Sequence, residues 1–193
     1  MRRLFIALTA IATLASLAAC GASPSSSSTD QAATVNGTPV SLDAYTTLTT
    51  TLRQRIERQT GGSFDTKSAA GAQRLARVQA AALRQLVSVA VLQQLAAQRH
   101  VNVSDADVDA ATTRLAGALG GQEQLALRLG DNGVGAADAR QAIRLVLLEQ
   151  HLRAADPSGW DKSYAGAVAT ARVVAYAAPC QADHAYPDCL GGN

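Results

Sequence analysis

The stretch "ATVNGTPVSLDAY" (residues 33–45) combines three local signals for secondary structure. Thr34 and Val35 are typical of a strand. The "NG" that follows is typical of a two-residue hairpin turn, since Asn and Gly tolerate the positive φ that such a turn needs. Ser41 then predicts the N-cap of a helix. We therefore expect a small hairpin that folds straight back before a helix begins.

A second strand signal lies near the opposite end of the chain. The segment "ARVVAYA" (residues 171–177) is the clearest strand pattern in the second half of the sequence. An isolated hairpin is only marginally stable in water. We therefore expect this strand to join the hairpin, so that the two ends of the domain meet in a small sheet.

Helical patterns fill the residues between these strands. Apolar residues recur at helical spacing, Ser104 and Asp107 form a capping-box pattern, and glycines mark several helix ends. The predicted fold class is mostly α, with a small sheet made by the N-terminal hairpin and the C-terminal strand. The predicted helices cover residues 41–60, 67–99, 104–119, 122–129 and 136–155, with a last short helix before the final strand.

Residues 1–20 predict a lipoprotein signal peptide. Arg2 and Arg3 form a positively charged start, residues 4–17 are apolar, and "LAAC" ends at Cys20. This ending resembles the bacterial lipobox, whose cysteine becomes the acylated N-terminus. An ordinary signal peptide with an incidental cysteine is the alternative. We expect lipid attachment at Cys20 and localisation at the extracytoplasmic face of the cell membrane.

The rest of the chain divides into two parts. Residues 21–33 predict a flexible Ser-rich tether, because they are small, polar and aperiodic. Residues 34–193 are enough for a single domain with its own core. No later stretch has the roughly 20 unbroken apolar residues that a membrane-spanning helix needs. We therefore expect the lipid anchor to be the only contact with the membrane.

The charge balance argues against a nucleic-acid partner. The chain carries 17 Lys+Arg and 15 Asp+Glu, and removing Arg2 and Arg3 with the signal peptide leaves 15 of each sign. A nucleic-acid surface requires basic residues clustered on one face, and no such cluster is indicated. The sequence therefore predicts no nucleic-acid binding.

The C-terminal cysteines predict a disulfide. Cys180 and Cys189 lie nine residues apart in a chain with an export signal, so oxidation to a bridge that closes a short C-terminal segment is expected. Asp183 and His184 between them suggest a metal site as an alternative. No second pair of His or Cys residues completes a four-ligand set, so no metal is predicted.

The remaining motifs do not indicate catalysis. "SDADVD" begins like a calcium-binding loop, but alanines occupy the glycine and glutamate positions that such a loop needs. "GDNGVG" has neither the preceding strand nor the lysine of a phosphate-binding loop. No nucleophile has a histidine partner in the sequence pattern. We therefore predict neither catalytic residues nor a cofactor.

Three segments carry a resemblance to a known family. They are the strand–turn unit "VNG-x-x-V", the run "LRQLVSVAVLQQLAAQRHVNVSDADVDAA" (residues 83–111) and the run "LRLGDNGVGAADARQAIRLVLLEQHL" (residues 127–152). Their order resembles the N-terminal chaperone domain of SurA-type periplasmic folding factors and related exported parvulin proteins, over roughly residues 34–153. The resemblance implies helices around a groove, tied together by strands from both ends of the domain.

The chain departs from this family after Arg153. The resemblance leads one to expect a parvulin prolyl-isomerase domain there, but only 40 residues follow. They hold no set of His, Cys and aromatic residues that resembles the isomerase active site. We therefore predict that the protein is not an enzyme.

The resulting hypothesis is a membrane-anchored extracytoplasmic chaperone. Such a holdase would bind unfolded or extended exported polypeptides, without isomerase activity. This binding needs exposed apolar surface, because burial of apolar area is non-directional. One long helix has more apolar residues than a single buried face needs. The candidate groove residues on it are Leu83, Leu86, Val87, Val91 and Leu95.

The alternative hypothesis is a lipoprotein module that docks one specific envelope partner. A dedicated interface favours a compact patch with aromatic or arginine anchors. Trp160, Tyr164 and Arg153 are the candidate anchors of such a patch. A long concave apolar groove would favour the holdase, whereas a flat patch around Trp160 would favour docking.

Overall fold

The sheet forms around the predicted hairpin turn. The computed structural model describes residues 30–63, 65–131, 134–136, 138–180 and 187. Strand β1 (Gln31–Val35) pairs antiparallel with β2 (Thr38–Ser41) on one side and with β3 (Val173–Ala175) on the other. The prediction of a small sheet built from both ends of the domain is therefore confirmed.

Asn36 connects the hairpin turn to two distant elements. Its φ is 51° and that of Gly37 is 82°, the left-handed conformations that a tight turn requires. The Asn36 side-chain amide donates to Oε1 of Gln94 at 2.8 Å. Its carbonyl oxygen accepts from the backbone N–H of Arg172 at 2.9 Å. One turn residue therefore joins the start of the sheet to a long helix and to the chain just before β3.

Six helices form between β2 and β3 in the described residues, close to the predicted positions. Ser41 caps the first helix, and the predicted capping box of Ser104 and Asp107 is present. Gly61 and Gly120 end their helices in the left-handed conformation. The helices are α1 (Leu42–Thr60), α2 (Ala69–Gln98), α3 (Asp105–Leu119), α4 (Gln122–Asp131), α5 (Ala139–Ala155) and α6 (Trp160–Thr170).

The domain begins earlier than the sequence predicts. Residues 31–33 were expected in the tether, but they form the first part of β1. Ala32 and Ala33 have no exposed surface and belong to the main core. A methyl side chain gives little sequence signal, yet its small size lets a strand pack closely on a helix. The predicted boundary at residue 34 is therefore wrong by at least three residues.

Helix α2 is the centre of the molecule. Its Leu83 and Val87 pack in the main core with the sheet and with Tyr45 of α1. Further along α2, Leu92 packs in a second cluster with Trp160. A third cluster joins α3 to α5. Because α2 is covered on more than one side, its broad apolar stripe is explained by packing.

By length and composition, α2 is also the one helix among the described residues that could cross a membrane. Its most apolar window has a mean hydropathy of 1.3, and 44% of that window is buried inside the protein. A helix that forms the core of a folded domain has the same composition. Its packing against the sheet, α1 and α6 accounts for its apolar residues.

Candidate functional site

The five candidate groove residues have different environments. Leu83 and Val87 are fully buried and Val91 is 2% exposed, so these three lie in the core and their assignment to an accessible groove is wrong. Leu95 is partly buried and packs against two core clusters. Leu86 is partly buried and lines open hollows on the surface of α2.

A line of adjoining hollows forms an apolar groove on the described surface. The first hollow, of about 290 Å³, lies between β2 and α2, with Pro39 and Val89 in its wall. The second, of about 390 Å³, lies between α1, α2 and α5, with Leu48 and Leu145 in its wall. Leu86 and Val89 line both hollows, so the first opens beside the second.

The groove continues along α5 to α4. A third hollow, of about 430 Å³, lies between α3 and α5 and shares Val134 and Ala142 with the second. A fourth, of about 350 Å³, lies between α3, α4 and α5 and shares Leu129, Val134 and Ile143 with the third. We call these four hollows together the apolar groove. It is concave, and its lining residues come from six secondary-structure elements, β2 and α1 to α5.

Two wall residues of the apolar groove expose large apolar side chains. Leu115 of α3 is 43% exposed and Val146 of α5 is 54% exposed. Neither residue was among the predicted groove residues. A signal was present for Val146, because the four consecutive apolar residues 145–148 cannot all lie on one buried helix face. Leu115 gave no comparable signal, since single exposed leucines are common on helices.

The rim of the apolar groove is rich in glutamine. A glutamine side chain both donates and accepts hydrogen bonds without carrying charge. Such groups can bond to the backbone of an extended polypeptide whatever its side chains are. The exposed rim glutamines are Gln85, Gln93, Gln122, Gln141 and Gln150.

Ion pairs connect α3 and α5 beside the apolar groove. Asp105 pairs with Arg144, and lies 3.5 Å from a guanidinium nitrogen of Arg140. Arg140 also donates to the carboxylate of Asp109. This hydrogen bond, followed by the charge of Asp109, raises the pKa of Arg140 above its already high ordinary value. Arg140 therefore stays charged, and the pairs link α3 to α5 at the surface above the apolar cluster that these helices share.

Of the two aromatic candidate docking anchors, Trp160 is buried and Tyr164 is half-buried against it. Trp160 is 1% exposed, and its ring stacks on Tyr164 at a centroid distance of 5.2 Å. The guanidinium of Arg99 lies 5.9 Å from the centre of the Trp160 ring. The Tyr164 hydroxyl donates to the backbone carbonyl of Ser88 at 3.1 Å. The expectation of a docking patch anchored on Trp160 is therefore wrong, because this ring fills the second core cluster.

Several predicted sites fall wholly or partly outside the described residues. Cys20, Asp183, His184 and Cys189 lie there. Cys180 is described and is fully buried in the main core. Its pairing with Cys189 stays a prediction. Within the described part of the chain, no cluster of His, Cys, Asp or Glu residues could hold a metal ion.

Comparison with known families identifies the fold. The family described as the SurA-like N-terminal domain matches residues 1–153, which is most of the chain. The protein therefore belongs to the SurA-like N-terminal domain family, a family of chaperone-like folding factors, as the resemblance predicts. No parvulin isomerase domain was found in these 193 residues. Neither the curated proteins nor the solved structures contained a match.

Proposed function

We propose that this protein is a membrane-anchored extracytoplasmic holdase that binds unfolded or extended exported polypeptides in the apolar groove. The observation that carries the proposal is the series of four apolar hollows from β2 to α4, each of which shares wall residues with the next. A chain without a fixed structure offers apolar side chains at irregular intervals. A long apolar surface can bury them without demanding one sequence.

Family membership supports the same function. Folding factors of this kind bind client proteins before those clients are folded. The glutamine rim supports it too, since amide groups can satisfy the backbone of a bound segment without selecting for charge. The docking module is less well supported, because Trp160 is 1% exposed and Tyr164 stacks on it.

The holdase is tested by aggregation of unrelated clients. The mature protein should slow the aggregation of rhodanese and of citrate synthase diluted from denaturant. A double variant, Leu115→Asn with Val146→Thr, should bind both clients about thirtyfold more weakly, since each change removes apolar surface worth roughly 1 kcal/mol. Light scattering and client titration measure the two effects.

A matched control separates the groove from general surface hydrophobicity. Leu127 and Val174 are 55% and 46% exposed, comparable to the two groove residues, but neither lines the apolar groove. Leu127→Asn with Val174→Thr should therefore protect clients as well as the unchanged protein does. Equal loss in both double variants would contradict a groove-based holdase. Faster refolding of a proline-limited substrate would show isomerase activity and contradict that part of the proposal.

Membrane anchoring through Cys20 is a separate part of the proposal. It is supported by the order of charged, apolar and small residues before this cysteine. Mass spectrometry of the mature protein should find an acylated cysteine at the N-terminus. Cys20→Ser should release the protein from the membrane fraction. An unmodified N-terminus at another residue would refute the anchor and leave the holdase test unaffected.

A further inference from the structure

The balanced total charge conceals a strong separation of charge along the chain. Between residues 53 and 84, the chain has seven basic residues and only two acidic ones. Between residues 105 and 138, it has six acidic residues and only two basic ones. The basic group consists of Arg53, Arg55, Arg58, Lys67, Arg74, Arg77 and Arg84, and its acidic neighbours are Glu57 and Asp65.

Three of these arginines share one face of α2. Arg74, Arg77 and Arg84 are separated by three and seven residues, which places them in line on a helix. All three are exposed. We call them the basic stripe. They span about 15 Å along α2 at the rise of an α-helix.

The basic stripe has no ion-pair partner among the residues that the structure describes. Arg99, Arg140, Arg144 and Arg153 are each ion-paired with a carboxylate elsewhere in the fold. No such pair with a described residue involves the stripe. Like charges in line repel each other, so an external anion would relieve this repulsion.

An apolar crevice adjoins the basic stripe. Arg74 and Arg77 flank a hollow of about 200 Å³ between α1 and α2, and Leu52, Ile56 and Val78 line it. Cations beside shallow apolar surface match an interface of anionic headgroups over acyl chains. A specific acidic protein partner would pair its carboxylates with arginines that are held in one geometry. The exposed arginines of the stripe are not held in this way.

The predicted tether is long enough to bring the stripe to a membrane. Gln31 pairs with Ser41, so the chain enters the domain beside the start of α1. The whole of α1 is about 28 Å long. Residues 21–30, fully extended, span at most about 35 Å. Every part of α1 and of the α2 face packed beside it is therefore within reach of a membrane anchor at Cys20.

We propose that the basic stripe of α2 and the crevice beside it dock the domain on an anionic phospholipid surface. The partner is the headgroup layer of phospholipids with net negative charge. This docking adds a second membrane contact to the lipid anchor and rests on the anchoring proposed above. It would hold the domain in one orientation at the membrane.

The test removes the anchor and measures the surface alone. The protein is the mature chain, residues 20–193 with Cys20→Ser, which contains every residue that the structure describes. It should float with vesicles of phosphatidylglycerol and phosphatidylcholine in equal parts, but not with phosphatidylcholine alone. High salt should weaken the binding. Replacing all three stripe arginines by Gln should weaken it about a hundredfold, because each basic residue at an anionic surface contributes roughly fivefold.

Matched variants decide whether position or total charge matters. The control replaces Arg128, Lys162 and Arg172 by Gln, which removes the same charge from other exposed positions. It should keep most of the vesicle binding, and Lys in place of each stripe arginine should keep it too. Equal loss in the control, or no binding of the parent protein to the anionic vesicles, would overturn the proposal.

Two further outcomes would also overturn it. If sedimentation shows self-association that the stripe variant abolishes, the partner is a second copy of this chain, through its acidic segment between residues 105 and 138. The second outcome uses poly-glutamate as a model acidic polypeptide. If the parent protein binds poly-glutamate but not vesicles, and the stripe variant binds neither, the partner is a protein. Client protection is measured separately with the same variants, so a failure of the holdase is distinguishable from a failure of docking.

Discussion

Single residues connect parts of this protein that are far apart in sequence. Tyr45 of α1 is buried in the main core, and its hydroxyl donates to the backbone carbonyl of Ala178. Burial raises the pKa of this phenol above its ordinary value, although the neighbouring Thr49 hydroxyl acts in the opposite direction. The phenol therefore stays neutral through the physiological range and remains a donor to the C-terminal segment.

The capping box of α3 makes stability depend on pH. The Ser104 hydroxyl donates to the Asp107 carboxylate at 2.6 Å, and the Ser104 backbone N–H donates to the same oxygen at 2.9 Å. These two bonds hold the pKa of Asp107 below its ordinary value. The stabilisation is therefore present above the unfolded pKa of about 3.9 and is lost as pH falls through the lower folded pKa.

We therefore expect Asp107→Asn to be less stable than the unchanged protein at neutral pH. The difference should shrink as the pH falls below the folded pKa of Asp107, because the carboxyl is then neutral in both states. Urea unfolding at neutral and acidic pH measures this difference in the free energy of unfolding. Asp43 lies in the first turn of α1 but is not part of a capping box, so Asp43→Asn is the control. A difference that grows toward acid pH would contradict this account.

At the scale of elements, the fold extends past the family match. The match ends at residue 153, but α6 and β3 follow it. Trp160 of α6 fills the second core cluster with Leu152. β3 pairs with the central strand β1, and Ala175 is 4% exposed in the main core. These two elements therefore complete cores that the matched segment leaves open.

A chain that ends after Arg153 should consequently lose its cooperative fold. Removing Trp160 alone is expected to cost about 3–5 kcal/mol, which is a large part of the stability of a typical domain. Circular dichroism during heating should show no cooperative transition in the shortened chain, and the single variant Trp160→Ala should melt at a lower temperature than the unchanged protein. A shortened chain with an unchanged melting temperature would show that α6 and β3 are dispensable.

At the scale of the whole molecule, the two proposed surfaces use different parts of the helices. The apolar groove follows α5 and the side of α2 that holds Leu86 and Val89. The basic stripe lies toward the start of α2, beside the second half of α1. Because no residue lines both the crevice and the groove, client binding and membrane docking can be altered independently.

Local signals in the sequence are enough to predict where most elements of this protein lie. A positive φ at Asn36 and Gly37, a hydroxyl at Ser41 and the capping box of Ser104 act through neighbouring residues. These signals predict the hairpin and most helix ends to within a few residues. The strand at residues 173–175 was predictable because its β-branched residues stand apart from the Ala-rich helices.

The tertiary structure alone decided which apolar residues are core and which are groove. Leu83, Leu86 and Val87 lie within five positions on α2, yet only Leu86 is open to the surface. Helical periodicity predicts the direction of a side chain, but not which element covers it. The same limit hid the burial of Ala33. Coverage depends on residues far away in sequence, and the approach of those residues is a property of the folded chain.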